Sequence, residues 1–143
     1  MTEPRILIVE DDGVWLEFYQ RWLQGSRYKI IGVRTLSRAL TALEEDSFDV
    51  VITDLKMLGG AEEFSGFGVI KKAKQGNPDV QVIVITGYGS ADHAMRAISS
   101  GAYDYITKDS NLSKKLSLTV KGALEVASLK KDLIEGKQQG DMT

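Results

Sequence analysis

The sequence has no cysteine among its 143 residues. A disulfide framework, a zinc–thiolate site and an iron–sulfur cluster are therefore excluded. It has no basic excess either. Lys plus Arg is 18 against 20 Asp plus Glu, a formal charge of −2, so the electrostatic footprint of a nucleic-acid module is missing. No apolar run approaches the ~20 residues that span a bilayer. The longest, Ile6–Val9 and Val82–Ile85, are of strand length. The start, Met1-Thr2-Glu3-Pro4-Arg5, lacks the basic-then-apolar pattern of a secretory signal. These absences lead us to expect no direct nucleic-acid partner, no membrane partner and a cytoplasmic location. What remains is an ordinary globular balance, 43% apolar and 27% charged, in a length suited to one domain.

Two patterns alternate along the chain. Arg5–Val9 is a short apolar run that stops abruptly at Glu10-Asp11-Asp12. A run apolar on both faces suits a buried parallel strand. Val14, Phe18 and Trp22 then recur at helical spacing, with Trp15, Tyr19 and Leu23 alongside and Gly25 as the stop. Further strands are read at Tyr28–Val33, Phe48–Thr53, Val80–Thr86 and Tyr103–Thr107. Ser37 is the expected cap of a second helix carrying Leu36, Leu40 and Leu43. A glycine-bearing loop, Lys56–Gly68, precedes a short third helix over Val69–Gln75, and Asn77-Pro78 turns the chain. Ser90 or Asp92 caps the fourth helix and Gly101 ends it. From Leu112 the stripe Leu116, Val120, Ala123 and Ala127 marks a fifth helix, which Leu129 and Leu133 extend. The polar tail Gly136–Thr143 is expected to fray.

Five strands alternating with five helices favour an α/β fold, a doubly wound parallel sheet with helices on both faces. The flavodoxin-like strand order 2-1-3-4-5 is the most economical arrangement. Its ligands bind beyond the carboxyl ends of the strands, beside the first strand. At those ends stand Glu10-Asp11-Asp12, Asp54, Thr86-Gly87 and Thr107-Lys108. Grouped carboxylates repel, so they raise a pKa or recruit a cation. With no thiol or imidazole nearby in sequence, the donors are hard oxygens, which suits Mg²⁺ or Mn²⁺. A carboxylate, a divalent cation, a lysine and a hydroxyl together make a phosphoryl-transfer kit.

The residues at these positions resemble the receiver domain of bacterial two-component response regulators, the CheY-like superfamily. The matching segments are Ile6–Asp12, Asp49–Asp54, Val84–Gly87 and Gly101–Lys108. The resemblance covers residues 4–128, with 129–143 as an extension of the last helix and its tail. It implies that Asp54 is the phosphoacceptor and that Mg²⁺ is held by Glu10, Asp11, Asp54 and the backbone carbonyl of Lys56. It further implies that Lys108 pairs with the phosphoryl group, that Thr86 donates a hydrogen bond to it, and that Tyr105 is the rotameric switch. The switch would reshape the face formed by the fourth helix, fifth strand and fifth helix. The implied partners are a histidine kinase or phosphotransfer protein, a downstream protein target or output domain, and a second copy in a phosphorylation-dependent dimer. Such domains act chemically only on themselves and are not classed as enzymes.

The chain departs from the family pattern at Leu58 and Asp109, where proline is usual, and in the long stretch Gly59–Ser65. We expect a trans Lys108–Asp109 bond, because a cis bond before a non-proline residue costs ~3 kcal/mol. Other roles compete. Asp12 reads as the N-cap of the first helix, His93 as a helix-surface residue, Trp15 and Trp22 as packing, and Tyr105 alternatively as a half-buried sheet aromatic. Lys56 and Tyr88 stand where similar domains tune phosphoryl lifetime. Thr86-Gly87-Tyr88-Gly89 lacks the third glycine of a dinucleotide loop. A Mg²⁺-dependent phosphohydrolase with an Asp54 nucleophile is the alternative enzyme. It would ordinarily carry a second acid at position 56, where this chain has lysine. A receiver acting purely as an interaction module is the other alternative.

Overall fold

A computed structural model describes residues 3–56, 66–87 and 91–141 of the chain, with side-chain environments to residue 133. Ten elements alternate: β1 (Arg5–Val9), α1 (Gly13–Leu23), β2 (Lys29–Val33), α2 (Leu36–Glu45), β3 (Val50–Thr53), α3 (Gly66–Gly76), β4 (Gln81–Thr86), α4 (Ala91–Ser99), β5 (Asp104–Thr107) and α5 (Leu112–Asp141). All four strand pairings are parallel, and the order is β2-β1-β3-β4-β5. This is the flavodoxin-like order the alternation favours.

The strands are apolar on both faces because both are covered. Ile6, Ile8, Val50, Ile52, Ile83 and Ile85 point one way and pack with Leu16, Tyr19, Leu116 and Val120 of α1 and α5. Leu7, Val9, Val51, Val82 and Val84 point the other way, against Ala39, Val69, Ile70 and Ala97 of α2, α3 and α4. The period of two assigns neighbours along one strand to different cores. Each such side chain contributes roughly 1.5–3 kcal/mol by leaving water.

Local chemistry sets the helix ends, not always where the sequence suggests. Asp12 is the N-cap of α1, accepting from Val14 N at 2.9 Å and Trp15 N at 3.3 Å. α2 is capped by Thr35, whose Oγ1 accepts from Arg38 N at 3.1 Å, and not by Ser37. β2 ends at Val33, so Thr35 keeps the extended conformation a cap requires and Ser37 falls inside the first turn. Asp92 lies in the first turn of α4, and Ser90 is outside the described residues.

α3 begins at Gly66, earlier than the apolar pattern indicates. Its N–H bonds Leu55 O at 2.8 Å, which draws the helix start against the end of β3. α1 buries Leu16, Tyr19 and Leu23. The Val14–Phe18 stripe faces outward instead, at 61% and 37% exposure. Gly25 and Gly101 take φ of 94° and 107°, the left-handed region that lets a chain leave a helix. No peptide bond among the described residues is cis, so Lys108–Asp109 is trans. α5 continues to Asp141, past the end of its buried stripe at Ala127. Among the described residues no helix is long and apolar enough to cross a membrane.

Candidate functional site

The register aligns the carboxyl ends of the strands. Val9 lies opposite Thr53, Thr53 opposite Val84, and Thr86 opposite Thr107. The residue following each strand end therefore enters one shallow region. Backbone bonds continue the ladder into it: Glu10 N to Val33 O at 3.1 Å, Asp54 N to Val9 O at 3.3 Å, and Lys108 N to Thr86 O at 3.1 Å. Glu10, Asp54 and Lys108 are thus held by the backbone before any side-chain contact forms.

Carboxylate oxygens of Glu10, Asp11 and Asp54 lie within 4.8 Å of one another. Lys108 Nζ bridges two of them, 2.8 Å from Glu10 Oε1 and 3.1 Å from Asp54 Oδ2. The site is sheltered: Glu10 is 1% and Asp54 8% exposed, and the Lys108 side chain 14%. Glu10 Oε2 accepts from Asp12 N at 3.2 Å, and Asp54 Oδ1 from Lys56 N at 3.2 Å. Asp11 is half-buried, and its backbone carbonyl accepts from Arg34 Nη2 at 3.0 Å.

Burial pushes the Glu10 carboxyl above its usual range, and the hydrogen bonds from Lys108 and Asp12 only partly oppose it. Burial alone would lower the Lys108 ammonium. The hydrogen bond to Glu10 and the charges of Asp54 and Glu10 outweigh it and raise the group. Lys108 is therefore a fixed cation at neutral pH. Lys108 Nζ meets two of the three clustered carboxylates, those of Glu10 and Asp54. An all-oxygen donor set of this kind fits Mg²⁺.

Thr86 is fully buried at the end of β4, and Tyr105 is half-buried in β5 opposite Val84. Among the described residues a side chain at Gly87 would meet nothing within 4 Å, so none of them crowds this glycine. Gly66 is different. A Cβ there would collide with the Asp54 carbonyl and the Leu55 backbone. Leu58, the Gly59–Ser65 stretch and Tyr88 lie outside the described residues.

Two side chains read from sequence only as helix packing stand in the site. Tyr19 Oη donates to Glu10 Oε1 at 3.3 Å, and the Trp15 ring centroid lies 5.1 Å from Lys108 Nζ. Burial and the Glu10 charge push the Tyr19 phenol far above its normal range, so it remains a donor. Their spacing of four along α1 is the signal that pairs them, because it puts both on one helix face.

The response regulator receiver domain family matches residues 6–119. The transcriptional regulatory protein ZraR of Klebsiella oxytoca is 35% identical over 119 residues, covering 83% of this chain and 26% of that protein. An NtrX-like response regulator of Rickettsia felis is 32% identical over 139 residues, covering 97% of this chain and 29% of the relative. The chain thus spans under a third of the length of these relatives. Among solved structures, a CheY-like response regulator receiver domain from Methanospirillum hungatei superposes with a TM-score of 0.80 at 27% identity. That match covers 90% of this chain and 99% of the other. A parallel sheet in the order 2-1-3-4-5, an acid cluster at its carboxyl edge and these matches agree: the chain belongs to the response regulator receiver domain family.

Proposed function

We propose that the chain is a phosphoacceptor of a two-component system, with Asp54 as the residue modified. The observation that carries this reading is the bridge from Lys108 to Asp54 and Glu10, set inside a cluster of three carboxylates. The donor is the phosphohistidine of a histidine kinase or phosphotransfer protein. A carboxylate oxygen of Asp54 attacks phosphorus, the P–N bond breaks, and the imidazole leaves. Glu10, Asp11 and Asp54, with the backbone carbonyl of Lys56, are the ligands assigned to Mg²⁺. When bound, the cation supplies positive charge to the oxygens of the transferring group. Lys108 already faces Asp54 and supplies the second positive charge.

Thr86 is assigned the hydrogen bond to the phosphoryl oxygens, and Tyr105 the switch that follows. A phosphoryl group adds about −1.5 to −2 of charge at Asp54. The conformation preferred afterwards differs on the face of α4, β5 and α5, where an output domain, a target protein or a second copy binds. Relatives are named as transcriptional regulators. The charge of −2 argues that residues of this chain do not themselves contact nucleic acid. The chain acts on itself alone, in the cytoplasm, and turns over no separate substrate.

Intact mass spectrometry with acetyl phosphate tests the reading. Wild type gains one phosphoryl group in Mg²⁺ and none in EDTA, and Asp54→Ala gains none. Multiple turnover of p-nitrophenyl phosphate would favour the phosphohydrolase instead. Lys56 in place of a second acid argues against that outcome.

A further inference from the structure

Glu10 receives two donors on one carboxylate oxygen. Lys108 Nζ reaches Oε1 at 2.8 Å, and the Tyr19 hydroxyl reaches the same atom at 3.3 Å. The other oxygen is held by Asp12 N at 3.2 Å. Tyr19 comes from the middle of α1 and is 1% exposed. Its ring lies between Trp15 and Trp22, each 5.9 Å away between centroids. Trp15 in turn faces Lys108. One face of one helix therefore addresses both members of the Glu10–Lys108 pair.

Packing alone does not call for a hydroxyl here. Around the ring the core is apolar, and phenylalanine would fill the same volume. The hydroxyl sits where a buried carboxylate needs its lone pairs satisfied. If Lys108 were the sole donor on Oε1, its departure would leave that oxygen orphaned and would hold the ammonium back. A second donor that stays in place removes that cost.

We propose that Tyr19 is a positioning residue for phosphoryl transfer. Its hydroxyl orients the Glu10 carboxylate toward the cation shared with Asp11 and Asp54. It also keeps Oε1 hydrogen-bonded when Lys108 turns to the phosphoryl group. This assignment rests on the reading of Asp54 as the phosphoacceptor.

The test uses Tyr19→Phe, which deletes only the hydroxyl, and Trp22→Phe, which repacks the same aromatic cluster without touching Glu10. Mg²⁺ affinity of the full chain is read from tryptophan fluorescence, for which Trp15 beside Lys108 is a built-in reporter. The Mg²⁺ concentration giving half-maximal phosphorylation by acetyl phosphate is read separately, as is unfolding without metal. Tyr19→Phe is expected to weaken Mg²⁺ binding about tenfold and to shift the half-maximal Mg²⁺ concentration equally. Trp22→Phe is expected to leave both near wild type. Unchanged Mg²⁺ affinity in Tyr19→Phe, or an equal loss in Trp22→Phe, overturns the positioning role. Wild-type phosphorylation in that case leaves the phosphoacceptor reading standing. A wild-type chain that neither binds Mg²⁺ nor gains a phosphoryl group overturns both.

Discussion

Lys108 and Glu10 are 98 residues apart in sequence and 2.8 Å apart in space, with Glu10 just past β1 and Lys108 just past β5. The contact reaches across β3 and β4, from the edge strand β5 to β1, which lies inside the sheet next to β2. It joins the two strands through side chains that backbone pairing does not connect. This relationship makes the cluster a single electrostatic unit.

Removing the ammonium should expose the repulsion it holds. Lys108→Met leaves Glu10 and Asp54 sheltered without their cation. We expect the metal-free protein to lose about 1–3 kcal/mol, less than a fully buried pair because the lysine retains some solvent. Mg²⁺ should restore more stability to Lys108→Met than it adds to wild type. Urea unfolding with and without Mg²⁺ checks this, and a metal-free midpoint equal to wild type would remove the repulsion argument.

Asp11→Asn should act in the opposite direction without metal. It removes one like charge from a cluster of three carboxylates, so metal-free stability should hold or rise. The same change should abolish most of the Mg²⁺-induced rise in melting temperature, because a ligand is lost. Thermal scans across a Mg²⁺ series separate the two effects. A variant still stabilised by Mg²⁺ as wild type is would take Asp11 out of the ligand set.

Two glycines of α3 should respond oppositely to alanine. At Gly66 a Cβ meets the Asp54 and Leu55 backbone, so Gly66→Ala should cost about 1–3 kcal/mol by overpacking and should disturb Asp54. At Gly68 nothing among the described residues lies within 4 Å, and Gly68→Ala should gain up to about 1 kcal/mol by removing helix-interior freedom. Equilibrium unfolding of both variants measures the difference, and similar effects at the two positions would contradict the packing described.

The departure at Asp109 has its own pH signature. Lys115 Nζ donates to Asp109 Oδ2 at 2.8 Å and Asn111 N to Oδ1 at 2.9 Å. The hydrogen bond from Lys115, then that from Asn111, hold the carboxyl below its ordinary value. A carboxyl depressed on folding supports the fold above its unfolded pKa, and that support is lost as pH falls through the lower folded value. An NMR titration should place the Asp109 midpoint below that of an ordinary aspartate, and Lys115→Met should move it upward. An unshifted midpoint in both proteins would remove Lys115 from the loop's stabilisation.

Some of this was legible residue by residue. Ile6–Val9 and Val82–Ile85 read as strands because β-branched and aliphatic residues buried on both faces leave no polar alternation. Asp54 and Glu10 read as site candidates because an acid directly after a buried strand must emerge at the sheet edge. The face of α1 was not legible in the same way. Val14–Phe18 and Leu16–Tyr19–Leu23 both recur at helical spacing, and several of these residues are aromatic. Which stripe turns inward depends on the helix rotation, which the Asp12 cap and the packing on β1 and α5 decide. The same rotation hid Tyr19. The start of α3 was obscured because Gly66 carries no apolar signal, and its place comes from close approach to the backbone of β3.

The succession of elements and the chemistry at each strand end follow from the linear order of residues. Those properties depend on a residue and its near neighbours: burial pattern, capping capacity and charge. Packing in three dimensions settled which oxygens Lys108 bridges, Glu10 Oε1 and Asp54 Oδ2, which stripe of α1 turns inward, and that the Tyr19 hydroxyl points at a carboxylate. Those contacts depend on crossover handedness, strand register and helix rotation. Such features come from packing distant segments against one another, so no local stretch of the chain encodes them alone.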